Sequence, residues 1–91
     1  MIELVLDGAE IKTREDVHCC FAETLHFPKW YGANLDALYD CLTDFQEDVR
    51  ILFLHRELLE ERLGIYAEKL QRVLVDASAE NSHLKILQEP Q

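Results

Sequence analysis

The chain of 91 residues is predicted to be a small α/β protein, with a three-stranded parallel sheet and about four helices in a single layer. Its short strand candidates are "IELVL", "VRILFL" and "SHLKILQ", which are apolar on both faces and separated by mostly helical sequence. Parallel strands need long crossover connections, and right-handed crossovers place the helices on one side of the sheet. A chain of this length holds one small core, so we expect a single domain over residues 1–91.

The first half of the chain predicts a strand followed by two helices. Residues 2–6 are apolar and β-leaning, and the turn signal "DG" follows them. Thr13 and Asp16 have the spacing of a capping box at the start of the first helix, which Pro28 closes. The apolar stripe of that helix is Val17, Cys20, Phe21 and Leu25. Asn34 is the expected N-cap of the second helix.

The second half predicts strand, helix, helix and strand. Residues 49–54 form a buried strand, and a short acidic helix ends at Gly64. Residues 66–80 form the most regular helix, because apolar side chains recur there at helical spacing. Residues 82–88 form the last strand, and residues 89–91 are expected to fray.

The charge balance favours a basic partner. Nine Lys and Arg residues oppose eighteen Asp and Glu residues, which leaves a net charge of −9 and a pI near 4.7. A chain of this charge repels phosphate backbones, so we expect no direct binding to nucleic acid. It would attract a cationic protein and accelerate association with it by steering. The alternative reading of the charge is solubility alone.

The sequence is most simply that of a cytoplasmic protein. No apolar run approaches the roughly 18 residues of a membrane span. Glu3 and Asp7 stand where a signal peptide would carry basic residues and a longer apolar stretch. The three cysteines are odd in number and form no legible disulfide framework, which suits a reducing compartment.

The second helix, within "FPKWYGANLDALYDCLTDF", has an unusual polar side. At about 100° per residue, its leucines cluster on one side, and we call the opposite side the acidic face: Asp36, Asp40, Thr43 and Asp44. Tyr39 lies at the border between the two sides. Like charges four residues apart cost a few tenths of a kcal/mol per pair, so an uncompensated acidic face needs an explanation. Trp30 and Tyr31 precede it, and exposed aromatics beside charge of one sign favour a partner surface over a plain solvated face.

Catalysis is not indicated. The only close group of catalytic residue types is "HCC", His18 to Cys20, and adjacent helical residues face different directions. No metal-binding cysteine spacing and no glycine-rich phosphate loop occurs, so we expect no metal, cofactor or small-molecule substrate. A binding protein, monomeric when free, is the stronger prediction.

The segment "P-x-W-Y-G-x-N-L-D-A-L-x-D-C-L-T" resembles the central segment of the barstar family, intracellular inhibitors of secreted bacterial ribonucleases. Weaker similarity covers the rest of the chain, including the early strand ending in "DG" and the helix "AEKLQRVLVDASAE". The resemblance implies an inhibitor that plugs the active site of a basic, barnase-type ribonuclease. The contacts it implies fall on Trp30, Tyr31, Asn34, Asp36, Tyr39, Asp40, Thr43, Asp44 and, on the last helix, Asp76.

The chain also departs from the family pattern at this segment. Ala33 replaces an acidic residue, and Asp44 replaces a small one. Trp30 stands in place of Tyr, Tyr39 in place of Trp, and Asp76 is one methylene shorter than Glu. The central aspartate, Asp40, is retained. The alternative that stays open is a barstar-like domain that neutralises or regulates a partner other than a ribonuclease.

Overall fold

The computed structural model describes residues 1–88 and confirms the predicted α/β order. The elements are β1 (Ile2–Asp7), α1 (Arg14–Leu25), α2 (Leu35–Thr43), β2 (Val49–Leu54), α3 (Arg56–Leu63), α4 (Ile65–Glu80) and β3 (Leu84–Gln88). The last strand begins two residues later than expected, because residues 82–83 form a turn. The expectation of fraying at residues 89–91 lies outside the described residues.

The three strands form one parallel sheet in the order β1-β2-β3. Leu4 pairs with Ile51, which pairs with Ile86, so these residues form a row across one face. Each crossover contains two helices, α1 and α2 in the first and α3 and α4 in the second. This is the predicted topology, in which sequential parallel strands are joined by long helical connections.

Burial alternates along the strands, which shows that the helices cover one face of the sheet. The covered face consists of nearly fully buried side chains: Leu4, Leu6, Val49, Ile51, Phe53 and Leu84. On the other face, Val5 and Leu87 stay 38% and 41% exposed, and Glu3 lies beside Arg50. The expectation that the strands are apolar on both faces is therefore wrong. The odd-numbered positions of β1 are largely acidic, and this face meets solvent.

The first helix starts as the sequence predicts. The backbone N–H of Asp16 donates to the Thr13 hydroxyl over 3.2 Å, and the Asp16 carboxylate accepts from the N–H of Thr13 at the same distance. A further N–H, that of Lys12, donates to this carboxylate over 2.9 Å. These backbone bonds hold the pKa of Asp16 below its ordinary value. The helix ends at Leu25, where His26 turns the chain in the left-handed region with φ of 57°.

Gly8 allows β1 to end against the start of α3. A Cβ atom at Gly8 would lie 2.1 Å from the carbonyl oxygen of His55 and 2.7 Å from the backbone nitrogen of Leu59. The guanidinium of Arg62 reaches the same turn and donates to the carbonyls of Gly8 and Ala9 over 2.8 and 3.1 Å. The turn after β1 is thus fixed to α3 by close backbone packing and by hydrogen bonds.

We expect Gly8→Ala to lower the free energy of unfolding by about 1–3 kcal/mol, since the added methyl group overlaps backbone atoms that cannot turn away. Gly32→Ala is the matched control, because its nearest neighbours would be a side-chain nitrogen of Asn34 at 3.1 Å and the Cβ of Ala37 at 3.5 Å. Urea unfolding followed by circular dichroism measures both. Equal losses of stability would contradict the close approach at Gly8.

Candidate partner-binding site

The apolar side of α2 fastens this helix to the core. Leu38 and Leu42 are fully buried, and Leu35 and Tyr39 are partly buried against the same cluster. The helix packs against α4. The opposite, acidic face is therefore presented to solvent on a helix whose rotation is fixed by its leucines.

Both ends of α2 are held by asparagine side chains. At the start, the Asn34 side-chain oxygen accepts from the N–H of Ala37 over 2.8 Å, which confirms the predicted N-cap. At the end, the side-chain amide of Asn81 donates to the carbonyls of Leu42 and Phe45 over 2.9 and 2.8 Å. Asn81 is only 7% exposed. It was not predicted as part of the site, and in the sequence it signals no more than the end of α4.

The acidic face carries three exposed carboxylates, those of Asp36, Asp40 and Asp44. The Thr43 hydroxyl is partly buried and donates to the carbonyl of Asp40 over 3.1 Å. Among the ion pairs within residues 1–88, none involves a carboxylate of this face, since the pairs join Arg50 to Glu3, Arg56 to Glu60, and His83 to Asp48. No carboxylate of the acidic face therefore lies within ion-pair distance of a cation in the described part of the chain.

The charges of these carboxylates also act on the thiol of Cys41. Burial raises the pKa of the Cys41 thiol, and the charges of Asp40 and Asp44 raise it further. The group is consequently held as the neutral thiol. Within the described residues, Cys19, Cys20 and Cys41 are all free of disulfide bonds. Asp44 also ends the helix, where its N–H donates to the carbonyl of Asp40 over 3.2 Å. An anion at a helix C-terminus opposes the macrodipole, so Asp44 adds to the electrostatic cost of the acidic face.

Trp30 and Tyr31 lie in the connection between α1 and α2, which we call the aromatic loop, and the two side chains have different environments. Trp30 is 82% exposed, as expected for a contact residue. The expectation that Tyr31 is exposed as well is wrong, because it is half-buried, and its ring lies against Phe27 with centroids 4.9 Å apart. Burial raises the pKa of the Tyr31 phenol well above its ordinary value. Tyr31 therefore anchors the loop from inside, while the neighbouring Trp30 is presented outside.

His18 ties this loop to α4. Its Nδ1 lies 2.6 Å from the hydroxyl of Tyr31, and its Nε2 lies 2.6 Å from the hydroxyl of Tyr66. The imidazole is 3% exposed, and the guanidinium of Arg14 lies 4.6 Å from the centre of the Tyr66 ring. A neutral imidazole donates from one nitrogen and accepts at the other, so one tyrosine donates to His18 and the other accepts from it.

His18 takes a buried position on α1 that the sequence assigned to Cys20. The buried residues of α1 are Val17, His18, Phe21 and Leu25, whereas Cys20 is half-buried. The spacing of His18, Phe21 and Leu25 is helical, but helical spacing alone does not mark a polar residue as buried. A polar side chain at a core position gives no such signal unless its partners are known, and these lie 13 and 48 residues away.

The chain turns tightly between the aromatic loop and α2. The N–H of Tyr31 donates to the carbonyl of Pro28 over 3.0 Å, and Ala33 has a φ of 51°. A residue other than glycine costs roughly 1–2 kcal/mol in this left-handed region. After this strained turn, Asn34 has the extended backbone conformation that an N-cap requires.

Asp76, the last predicted contact residue, is exposed on α4, the helix on which α2 packs. Along α4 it borders a shallow groove with Glu68, Gln71, Arg72 and Val75.

Within residues 1–88, no group of three His, Cys, Asp or Glu residues is placed to hold a metal ion. In the same part of the chain, no helix is both long enough and apolar enough to cross a membrane.

We expect the buried neutral His18 to make stability fall in acid. Burial lowers its pKa in the folded protein, although the charge of Glu15 partly opposes this. As the pH falls below about 6.5, the unfolded chain binds a proton more readily than the folded one, so the contribution present at higher pH is lost.

The free energy of unfolding should therefore drop between about pH 7.5 and pH 5.5, by at most about 1.4 kcal/mol per pH unit for this one group. Urea unfolding of the wild type and of His18→Gln at both pH values measures the effect. The drop should be smaller in His18→Gln, because this variant lacks the buried imidazole. The other titrating groups are common to both proteins and contribute equally to the two drops. An identical drop in the two proteins would show that His18 is not responsible.

Comparison with known proteins identifies the family to which the chain belongs. The chain is 33% identical over 81 residues to a Bacillus subtilis (strain 168) protein named "Putative ribonuclease inhibitor YrdF". The alignment covers 88% of this chain and 89% of that protein. The family model described as Barstar (barnase inhibitor) matches residues 1–88. The chain belongs to the barstar family.

Proposed function

We propose that this protein is a cytoplasmic inhibitor of a basic, barnase-type ribonuclease, and that it blocks the active site with its acidic face and aromatic loop. The observation that carries the proposal is the set of exposed carboxylates of the acidic face, none of which forms an ion pair within the described residues. The description of the family as barnase inhibitors and the name of the Bacillus subtilis relative support the same role. Binding is reversible and stoichiometric, and it protects the producing cell.

Asp40 is the central contact in this proposal. A ribonuclease holds an RNA phosphate with Arg, Lys or His donors that are aimed at anionic oxygens. Asp40 lies in the middle of α2, is exposed, and can place its carboxylate where that phosphate would lie. Asp36 on the same helix and Asp76 on α4 would pair with cations at the edge of the phosphate site.

The remaining predicted contacts frame this charge. Trp30 is the large exposed apolar side chain of the loop, and side chains of this kind are common anchors of interfaces. It would cover the catalytic histidine of the ribonuclease. The other positions would border the contact: Tyr31, Asn34, Tyr39, Thr43 and Asp44. Of these, Asn34 and Thr43 form hydrogen bonds with the backbone of α2, so they also stabilise the shape of the surface.

The free protein is arranged so that binding relieves an electrostatic cost. Asp36, Asp40 and Asp44 recur every four residues, a spacing at which like charges destabilise a helix by a few tenths of a kcal/mol per pair. Asp44 adds the unfavourable interaction with the helix C-terminus. A cationic active site would reverse both effects, because its charges offset the repulsion among the carboxylates. The arrangement is costly alone and favourable only against a basic partner.

We expect Asp40→Ala to weaken inhibition of a purified barnase-type ribonuclease by about 2 kcal/mol or more, which is at least about 30-fold in the inhibition constant. Stability should change little, since the side chain is exposed and outside the core. Titration of the protein into an RNA-cleavage assay measures the inhibition constant. Glu61→Ala is the matched control, because it removes one exposed carboxylate on α3 with the same change in net charge.

Inhibition that is equally strong in Asp40→Ala would refute the central contact. Loss of inhibition in both variants would indicate that net charge, rather than the acidic face, governs binding. A third outcome is that the wild-type protein leaves the ribonuclease fully active and binds a protein without nuclease activity instead. That result would favour the alternative of a barstar-like domain with another partner.

A further inference from the structure

A groove beside the acidic face has a different electrostatic character. It has a volume of about 640 Å³ and lies between the first turns of α1, α2 and α4, next to Asn34. We call it the N-terminal groove. Its lining includes four charged residues and two large side chains: Arg14, Glu15, Asp36 and Lys69, with Ile65 and Tyr66. It therefore shares Asp36 and the start of α2 with the proposed ribonuclease-binding surface.

Two cations line this groove in a chain whose net charge is −9. Arg14 and Lys69 are both exposed, and within residues 1–88 neither forms an ion pair with a carboxylate. The two acids of the groove, Glu15 and Asp36, are equally without ion pairs there. The groove thus carries two positive and two negative groups, none of which lies within ion-pair distance of another among the described residues.

The side of the groove formed by α4 favours an anion. This helix begins after Gly64 without a side-chain cap, so its first N–H groups receive no bond from a capping side chain. The partial positive charge of the helix start adds to that of Lys69, one turn further along. The guanidinium of Arg14 lies 4.6 Å from the centre of the Tyr66 ring, so a second positive charge lies in the same groove.

The wall of the groove is formed by Ile65 and Tyr66, and of these Tyr66 is firmly held. Ile65 is 70% exposed, which is high for a large apolar side chain. Tyr66 beside it is fixed through its hydroxyl, which lies 2.6 Å from the buried His18. A partner side chain entering the groove would therefore meet a preformed apolar wall with two cations at its edge.

We propose that the N-terminal groove is a second docking subsite for the same ribonuclease, which receives an acidic side chain of that partner together with an adjacent apolar one. The proposal rests on the proposed function. Charge complementarity on the α4 side of the groove identifies the occupant, because Lys69 and the uncapped start of α4 fit a carboxylate and Ile65 beside them fits an apolar neighbour. The groove would make Arg14, Ile65 and Lys69 determinants of which ribonuclease is bound.

The groove and the acidic face predict opposite effects of adding negative charge. If the partner presented only cations here, Lys69→Glu would extend the acidic face and tighten binding. If the partner inserts a carboxylate beside Lys69, the same substitution places two anions together and weakens binding. Lys69 is the better residue to change than Arg14, because Arg14 also stacks on Tyr66.

The experiment compares Lys69→Glu with Lys85→Glu in binding to the purified barnase-type ribonuclease, with rates measured by surface plasmon resonance. Lys85 is exposed on β3, on the sheet face away from the helices, so both variants change the net charge equally. We expect Lys69→Glu to dissociate about ten-fold faster or more, as for a lost charge contact, and Lys85→Glu to dissociate like the wild type. Thermal unfolding confirms that both variants are folded.

Dissociation of Lys69→Glu at the wild-type rate, or more slowly, would overturn the proposed subsite. If the wild type and Glu61→Ala bind and Asp40→Ala does not, such a result refutes the subsite and leaves the proposed function standing. If the wild type itself fails to bind the ribonuclease, the proposed function fails and the subsite fails with it.

Discussion

The burial of the leucine side of α2 is the constraint on which the binding surface depends. Leu38 and Leu42 are fully buried, so the helix cannot rotate without exposing them to water, at a cost of roughly 1.5–3 kcal/mol each. Asn34 caps its first turn, and Asn81 binds the last carbonyls from the end of α4. The carboxylates on the opposite side are therefore displayed at positions that the core determines. A rigid display reduces the ordering cost of binding.

The aromatic loop is positioned by a second set of buried contacts. His18 connects Tyr31 of the loop to Tyr66 of α4 through two hydrogen bonds of 2.6 Å. This places the loop, α1 and the start of α4 in one polar network next to the core. Trp30 is thus carried by an anchored loop and stays exposed. The network also forms one wall of the N-terminal groove, so the two parts of the surface share a support.

Much of this fold follows from local sequence signals. The capping box of Thr13, the N-cap at Asn34 and the strand at residues 49–54 were all predicted correctly, because each depends on residues close in the chain. His18 and Asn81 were not recognised, since their roles depend on partners 13 to 48 residues away. The open face of the sheet was missed because apolar strand residues such as Val5 and Leu87 do not reveal whether a second layer covers them. The acidic face was predictable from its spacing, whereas the fixed position of Tyr31 was not.

In the proposed complex Asp40 occupies the place of an RNA phosphate, and competition with a nucleotide tests this placement most directly. The dissociation constant of the complex with a barnase-type ribonuclease would be measured by calorimetry at increasing concentrations of a 3′-mononucleotide, at constant ionic strength. If Asp40 and the phosphate share one site, the apparent dissociation constant of the wild type rises in proportion to nucleotide concentration once that site is mostly filled. A dissociation constant that does not change with nucleotide would place the acidic face elsewhere on the ribonuclease and contradict the proposed position of Asp40.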